Sequence, residues 1–377
     1  MASKLGAALL GAALLLGSGP DKASACAICL SAITVTTGQK LDAADQVVLA
    51  SPLAGGRQFR IVENVKGEAS IGAIVDATAD RANQVASQAG QLSLLARNGV
   101  SLRWTDFGGV HAESAGWLRA FLRTNDGRAK APPRVWPLVS PAQAVSDSTD
   151  WSKRIDLIAP SLESDDPLIA EIAFAELSRT PYEAMRALKT ALNVTELRRW
   201  IQDPALAKRQ DAYLLLLGIA GDTDDMALLE DRLLKAHASK DATNVAALLA
   251  ADLELRGPER VAWIEENYLL DLGRSLPEIE AALLALSVHG GTNGAIPQRR
   301  IVEAYRHFIR ERKPMAGFVA TYLSDWQAWE AVPDYVEVLR SNAVKDPASQ
   351  LAILVYLRDS PGFEGRLAAE AFVKRAD

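Results

Sequence analysis

The sequence predicts an α+β multidomain chain: a small N-terminal β-barrel-like domain followed by a longer α-helical repeat domain of α-solenoid-like form. Three observations predict it. Short apolar runs separated by glycine turns crowd residues 46–104. From about Trp151 the apolar period changes to that of helices. Between them, residues 125–150 are rich in Pro, Ser, Asp and Arg, including Ala131-Pro132-Pro133 and Ser140-Pro141, and read as an extended connection.

The chain opens with one positive charge, Lys4, and an apolar run from Leu5 to Gly17. Ser18 to Lys22 breaks the run, and Ala23-Ser24-Ala25 follows. These are the three regions of a secretory signal, with small residues at the two positions that guide a cut after Ala25. The run is shorter than the roughly 20 residues a membrane span needs, and no later segment is long enough; Leu214 to Leu217 is the densest aliphatic run. The expected organisation is a signal over 1–25, a β-rich domain with a terminal helix over 26–124, the connection over 125–150, and helical repeats over 151–377. Such a chain is exported, to the periplasm or the cell exterior.

With 41 Lys and Arg against 47 Asp and Glu, the formal charge is −6. Loss of the signal removes Lys4, Lys22 and Asp21 and makes the mature chain one unit more acidic. That balance excludes nucleic acid or an anionic membrane as the main partner, because both select basic surfaces.

The two cysteines stand in Cys26-Ala27-Ile28-Cys29, at the mature start. Export places them in an oxidising compartment, where a Cys26–Cys29 disulfide persists. A thiol redox pair or a soft-metal clamp is the alternative. Thioredoxin-type redox chemistry needs the first thiol at a helix N-terminus after a strand, and no strand precedes this pair. Leu30 follows Cys29 where haem attachment needs His. Zinc needs four ligands, and His111 is the only histidine in the N-terminal half. Two thiolates suffice for Cu(I), so copper at Cys26 and Cys29 is the alternative to no cofactor. A lipid anchor at Cys26 is not favoured, since Ala23 replaces the leucine-like residue of a lipoprotein signal and a Pro20-containing polar stretch intervenes.

Within the β-rich domain, Gln46 to Ala50 is a short apolar run, and Ala54-Gly55-Gly56-Arg57 is a turn. Gln58 to Lys66 follows with Phe59, Ile61 and Val65 on one side, although Val62 and Glu63 break strict alternation. Ala73 to Ala77 and Gln91 to Ala96 are further strands, and Asn98-Gly99 turns into Leu102-Arg103-Trp104. Glu113 to Thr124 reads as a helix with Trp117, Leu118, Phe121 and Leu122 on its apolar face. The cysteine pair, Asp45, Val47, Val48 and Leu49, then Phe59, Val62, Val65, Lys66 and Gly67, resemble the netrin-like, tissue-inhibitor-of-metalloproteinase-like OB barrel over residues 26–105. That resemblance implies a metallopeptidase inhibitor in which the amine and carbonyl of Cys26 chelate the target's zinc. The pattern departs in spacing, since the inhibitors begin Cys-x-Cys and bridge to distant cysteines.

In the C-terminal part, four groups fit helical faces: Ile279, Ala282, Leu283 and Leu286; Ile301, Ala304, Tyr305 and Phe308; Val245, Leu248, Leu249 and Leu253; and Leu351, Leu354 and Val355. Pro167, Pro204, Pro258, Pro297, Pro347 and Pro361 mark helix starts, several after a capping Asp. The spacing approaches that of a two-helix repeat of about 40 residues, and the stretch from about 160 to 377 resembles HEAT-like repeats. That resemblance implies a curved stack with an extended binding face.

Enzyme signatures are incomplete. His289-Gly290-Gly291-Thr292-Asn293-Gly294 has no accompanying G-x-S-x-G elbow, and Asp106-Phe107-Gly108 has no kinase partners. Asp165-Asp166 and Asp222 with Asp224-Asp225 read as helix caps. His237 and His307 read as isolated surface or partly packed residues. Tyr322, Trp326 and Trp329 form an aromatic group that either lines an interaction surface or packs between repeats. The expectation is an exported non-enzymatic scaffold that presents a helical repeat surface to a protein partner. A redox or metal protein, or a metallopeptidase inhibitor, is the alternative.

Overall fold

The computed structural model describes residues 35–80, 90–99, 103–125, 149–291 and 294–376. The α+β class holds, with five strands within residues 46–110 and helices dominating the remainder. The signal segment, Cys26, Cys29 and Trp136 lie outside the described residues.

Among the described residues the first element is α1 (Thr37–Ala43), which the strand-like reading of this region missed. Its signal was Thr36 with Gln39: each side chain bonds the other's backbone N–H, a capping box. Then come β1 (Gln46–Pro52), β2 (Gln58–Lys66), β3 (Ile74–Ala79), β4 (Leu92–Arg97) and β5 (Trp104–Val110). They close a barrel in the order β1-β2-β3-β5-β4, antiparallel except for the parallel β3–β5 pair. Val48, Ala50, Phe59, Ile61, Ala77, Leu95 and Trp104 fill its interior. The alternate residues of β1, Val47 and Leu49, join the core shared with the helices. Burial on both faces explains the unbroken apolar run there. The broken alternation of β2 also has a cause. The β1 register slips between Val47 and Val48 and again between Leu49 and Ala50, leaving Val65 and Val62 unmatched as bulges.

α2 (Ala115–Arg123) lays Leu118 and Phe121 into the shared core. Asn125 then pairs with Thr149, and the Asp150 N–H donates to Thr124 O at 2.8 Å. Residues 124–125 and 149–150, on either side of the Pro-rich segment, therefore meet at one place. α3 (Trp151–Ile158) and α4 (Pro167–Arg179) follow.

Arg154 of α3 joins these elements and has no exposed surface. Its Nη1 and Nη2 donate to Asp42 of α1 at 2.7 and 2.9 Å, and Nη1 also donates to Glu176 of α4 at 2.7 Å. Its Nε donates to Thr124 Oγ1 at 2.7 Å, and the guanidinium lies 4.1 Å over the Phe121 ring. Glu176 also accepts from Arg179 at 2.6 Å and from Thr36 Oγ1 at 3.0 Å. Burial opposes charge on both partners. The pairs with Asp42 and Glu176 nonetheless hold Arg154 above its usual range, while Arg179 and Arg154 hold Glu176 below the usual carboxylate range. Gly38 permits the approach of α1, since a Cβ there would overlap Glu176 Oε1 and come within 2.9 Å of the Phe121 ring.

The stack continues with α5 (Tyr182–Ala187), α6 (Val194–Gln202), α7 (Gln210–Ala220), α8 (Thr223–Ser239), α9 (Val245–Arg256), α10 (Arg260–Ile264), α11 (Leu276–His289), α12 (Gln298–Glu311), α13 (Ala320–Asp325), α14 (Val332–Ser341), α15 (Pro347–Asp359) and α16 (Phe363–Ala376). Helices two apart pack together: α7 on α9, α9 on α11, α10 on α12, α12 on α14, α13 on α15 and α14 on α16. Sequence neighbours pack as well, among them α6 on α7, α8 on α9 and α15 on α16. At the α7–α9 crossing, a Cβ on Gly218 would overlap the backbone of Ala251.

The apolar faces read for α9, α11 and α12 are buried throughout. That of α15 is corrected. Leu351 is 63% exposed and Leu354 and Val355 are half-buried, while Ile353, Tyr356 and Leu357 face the core. Two apolar stripes share the helical period here, and the Tyr356 hydroxyl, donating to Ala328 O at 2.6 Å, belongs to the inward one. The acidic pairs act as caps: Asp166 accepts from Leu168 and Ile169 N–H, and Asp222 with Asp225 forms a capping box on α8. Asp346 caps α15 ahead of Pro347.

Arg154→Ala leaves Asp42 and Glu176 buried with one cation fewer and is expected to cost about 3–5 kcal/mol in urea unfolding. Gly218→Ala must push apart two backbones and is expected to cost about 1–3 kcal/mol in the same assay. Unchanged unfolding midpoints would refute either assignment.

Candidate functional site

After α10 the chain does not continue as a regular α-helix. Glu265–Leu269 forms a π turn, with the Leu270 N–H donating to Glu265 O at 2.8 Å. The extra residue widens the helix, a distortion that often accompanies function. Val261, Ile264, Tyr268 and Leu269 are buried around it, and so is the Glu265 carboxylate. Glu265 Oε2 accepts from Arg300 of α12, and Oε1 lies 3.3 Å from His307 Nδ1.

Beside the turn is a shallow groove of about 340 Å³ lined by Ala262, Glu265, Glu266, Leu270, Asp271 and His307. Glu266 is exposed, and Asp271 is fixed by the Arg274 Nε–H at 2.9 Å and the Gly273 N–H at 2.8 Å. Those two hydrogen bonds hold the Asp271 carboxyl below its ordinary range, so it stays ionised. Arg274 also donates to Glu278 at 2.8 Å and to His237 O at 2.9 Å, tying this loop to α8 and α11. The groove therefore combines anionic walls with the apolar surface of Ala262 and Leu270. Chemically that suits a lysine or arginine side chain, whose stem is apolar and whose tip is cationic.

A neighbouring groove of about 450 Å³ is lined by Met226, Leu255, Arg256, Glu259, Arg260 and Trp263. Arg260 stacks 3.8 Å over Trp263, and Arg256 and Arg260 both bond the buried Asp252. Its cations are thus committed to the fold.

The other residues singled out in the sequence fall elsewhere. His289 ends α11, and its ring is fully buried, with Nε2 2.9 Å from Ala250 O and Nδ1 3.7 Å from Glu254. Glu254 also accepts from Tyr182 at 2.7 Å and Arg186 at 2.8 Å, and Tyr182 meets the imidazole edge-on. His289 is thus a core group. Burial, opposed by Glu254, pushes its pKa down. Asp106-Phe107-Gly108 lies in β5, where the Gly108 N–H donates to Asp106 Oδ1 at 3.0 Å. Tyr322 and Trp326 come together with Tyr305, Trp326 stacking 5.7 Å from Tyr305. Trp329 belongs to a separate group with Tyr356, 5.2 Å away. All three are half-buried. Asn193 caps α6 through its side chain. His307 is not isolated, since Glu265 faces it. Cys26 and Cys29, on which the disulfide, redox, copper and inhibitor readings depend, lie outside the described residues, among which no cluster of three or more metal-binding side chains occurs.

Sequence reasoning missed Glu265, Glu266, Asp271 and Arg300. One signal was present: Glu265 stands four residues after Val261, on an otherwise apolar helical face. No protein-family model, curated protein or solved structure matches this chain.

His289 generates a pH prediction. Burial keeps it neutral in the fold while the unfolded chain takes up a proton near pH ~6.5. Stability therefore falls as pH drops through that value and levels off once the folded imidazole also protonates. Urea midpoints compared at about pH 7.5 and about pH 5.5 should show this loss, and His289→Gln should reduce it. An equal loss in the variant would place the titrating group elsewhere.

Proposed function

We propose that this chain is an exported, non-enzymatic binding scaffold whose helical stack receives a basic segment of a protein partner in the π-turn groove. One observation carries the reading: the exposed Glu266 lines a groove with the apolar Ala262 and Leu270 at the one π turn among the described residues, beside Glu265 and Asp271, which are already paired to Arg300 and Arg274. The acidic balance of the whole chain adds long-range attraction for such a segment. We read the barrel as OB-type. Its strand order and parallel β3–β5 pair support that reading, as do the residues that resemble netrin-like barrels.

The test uses a fluorescent lysine-rich peptide as probe. The full chain is expected to bind it with an affinity that falls as salt is raised. Glu266→Arg changes an exposed residue and should weaken binding about tenfold, or about 1.4 kcal/mol. Absence of binding, or equal binding by the variant, would refute the proposal.

A further inference from the structure

We propose that a second copy of this chain packs, antiparallel and about a twofold axis, on the open face of α16. This interface is separate from the π-turn groove and does not depend on it.

α16 turns Gly365, Ala368, Ala369 and Phe372 toward the stack. Its opposite stripe is Phe363, Arg366, Leu367, Glu370 and Lys374, spaced at three and four residues, and every member is exposed. Phe363 is 77% exposed and Leu367 62%. On α15, which packs against α16, Leu351 is also exposed. Single exposed apolar residues are ordinary, whereas Phe363 and Leu367 stand one turn apart on the same face of α16.

Charge selects the occupant. The Arg366 guanidinium lies 5.0 Å over the Phe363 ring, so a cation borders the apolar strip at one end. Glu370 borders it one turn further on. Turned end for end about an axis on the outer face, level with Ala368 along the helix, the stripe complements itself. Arg366 of each copy comes opposite Glu370 of the other, and the two Leu367 side chains meet close to the axis. A parallel pairing would set Arg366 against Arg366 and Glu370 against Glu370. The self-complementary arrangement is the isologous one that closes a dimer.

Sedimentation equilibrium on the full chain should show a monomer–dimer equilibrium. Leu367→Glu should abolish the dimer, with the thermal melt unchanged at a dilution where the parent chain is monomeric, because the residue is exposed there. Arg366→Glu and Glu370→Arg should each raise the dimer Kd about tenfold. The double variant Arg366→Glu/Glu370→Arg should restore it. A chain that stays monomeric at every concentration overturns the proposal. So does a dimer that survives Leu367→Glu, or a charge swap that fails to rescue. Peptide binding in the π-turn groove is unaffected by either result, so the two readings fail separately.

Discussion

Arg154 is a guanidinium without solvent, set among Asp42, Glu176, Thr124 and the Phe121 ring. Those partners come from the helix before the barrel, the helix after it and the first helices of the stack. Taking such charges out of water costs several kcal/mol per ion, and their mutual attraction returns this only when every donor and acceptor is placed. Here the fork of Arg154 is matched by a bidentate carboxylate, and Glu176 is shared between two arginines and a hydroxyl. A misplaced α1 would strand buried charge, so barrel and stack must meet in one way. Gly38 is part of the same constraint, because only a residue without a Cβ lets α1 come so near Glu176.

The same device recurs along the stack in weaker, more exposed form. Arg209 joins Glu163 and Glu171, Arg198 joins Asp225, Arg256 and Arg260 join Asp252, and Arg306 joins Asp334. Apart from the Arg256–Asp252 pair, which lies within α9, each ties one segment of the stack to another and leaves packing to the aliphatic and aromatic layers between. At the π turn the pattern changes. Glu265 is paired by Arg300, but Glu266 stays exposed at the edge of an apolar groove. There the spare charge faces solvent instead of a neighbouring helix.

Several elements were legible from residues alone because their signals are local. Glycine turns and apolar runs located β1 to β4, while β5 runs over Trp104–Val110 and shares only Trp104 with the run read after Asn98-Gly99; the i, i+3, i+4 spacing located the buried faces of α9, α11 and α12. α1 escaped because it is short and polar, so it has a cap but little apolar pattern. In α15 the periodicity was real but ambiguous, since two stripes satisfy it and only the neighbours decide which one faces inward. The candidate groove was barely legible. A π turn adds one residue to a pattern read at 3.6, and Asp271 and His307 reach the groove from different elements.

By itself the sequence determined the α+β class, the strand and helix runs and the capping prolines and aspartates, because those depend on steric and hydrophobic preferences within a few residues. The tertiary structure decided which charged residues are interior. Asp42 and Arg154 are separated by 112 residues, and nothing near either distinguishes it from a solvated surface charge. It also decided that residues 125 and 149 meet, so that the barrel rests directly on the helices. Both are outcomes of long-range closure, in which the energy of a contact depends on a partner that local pattern does not specify.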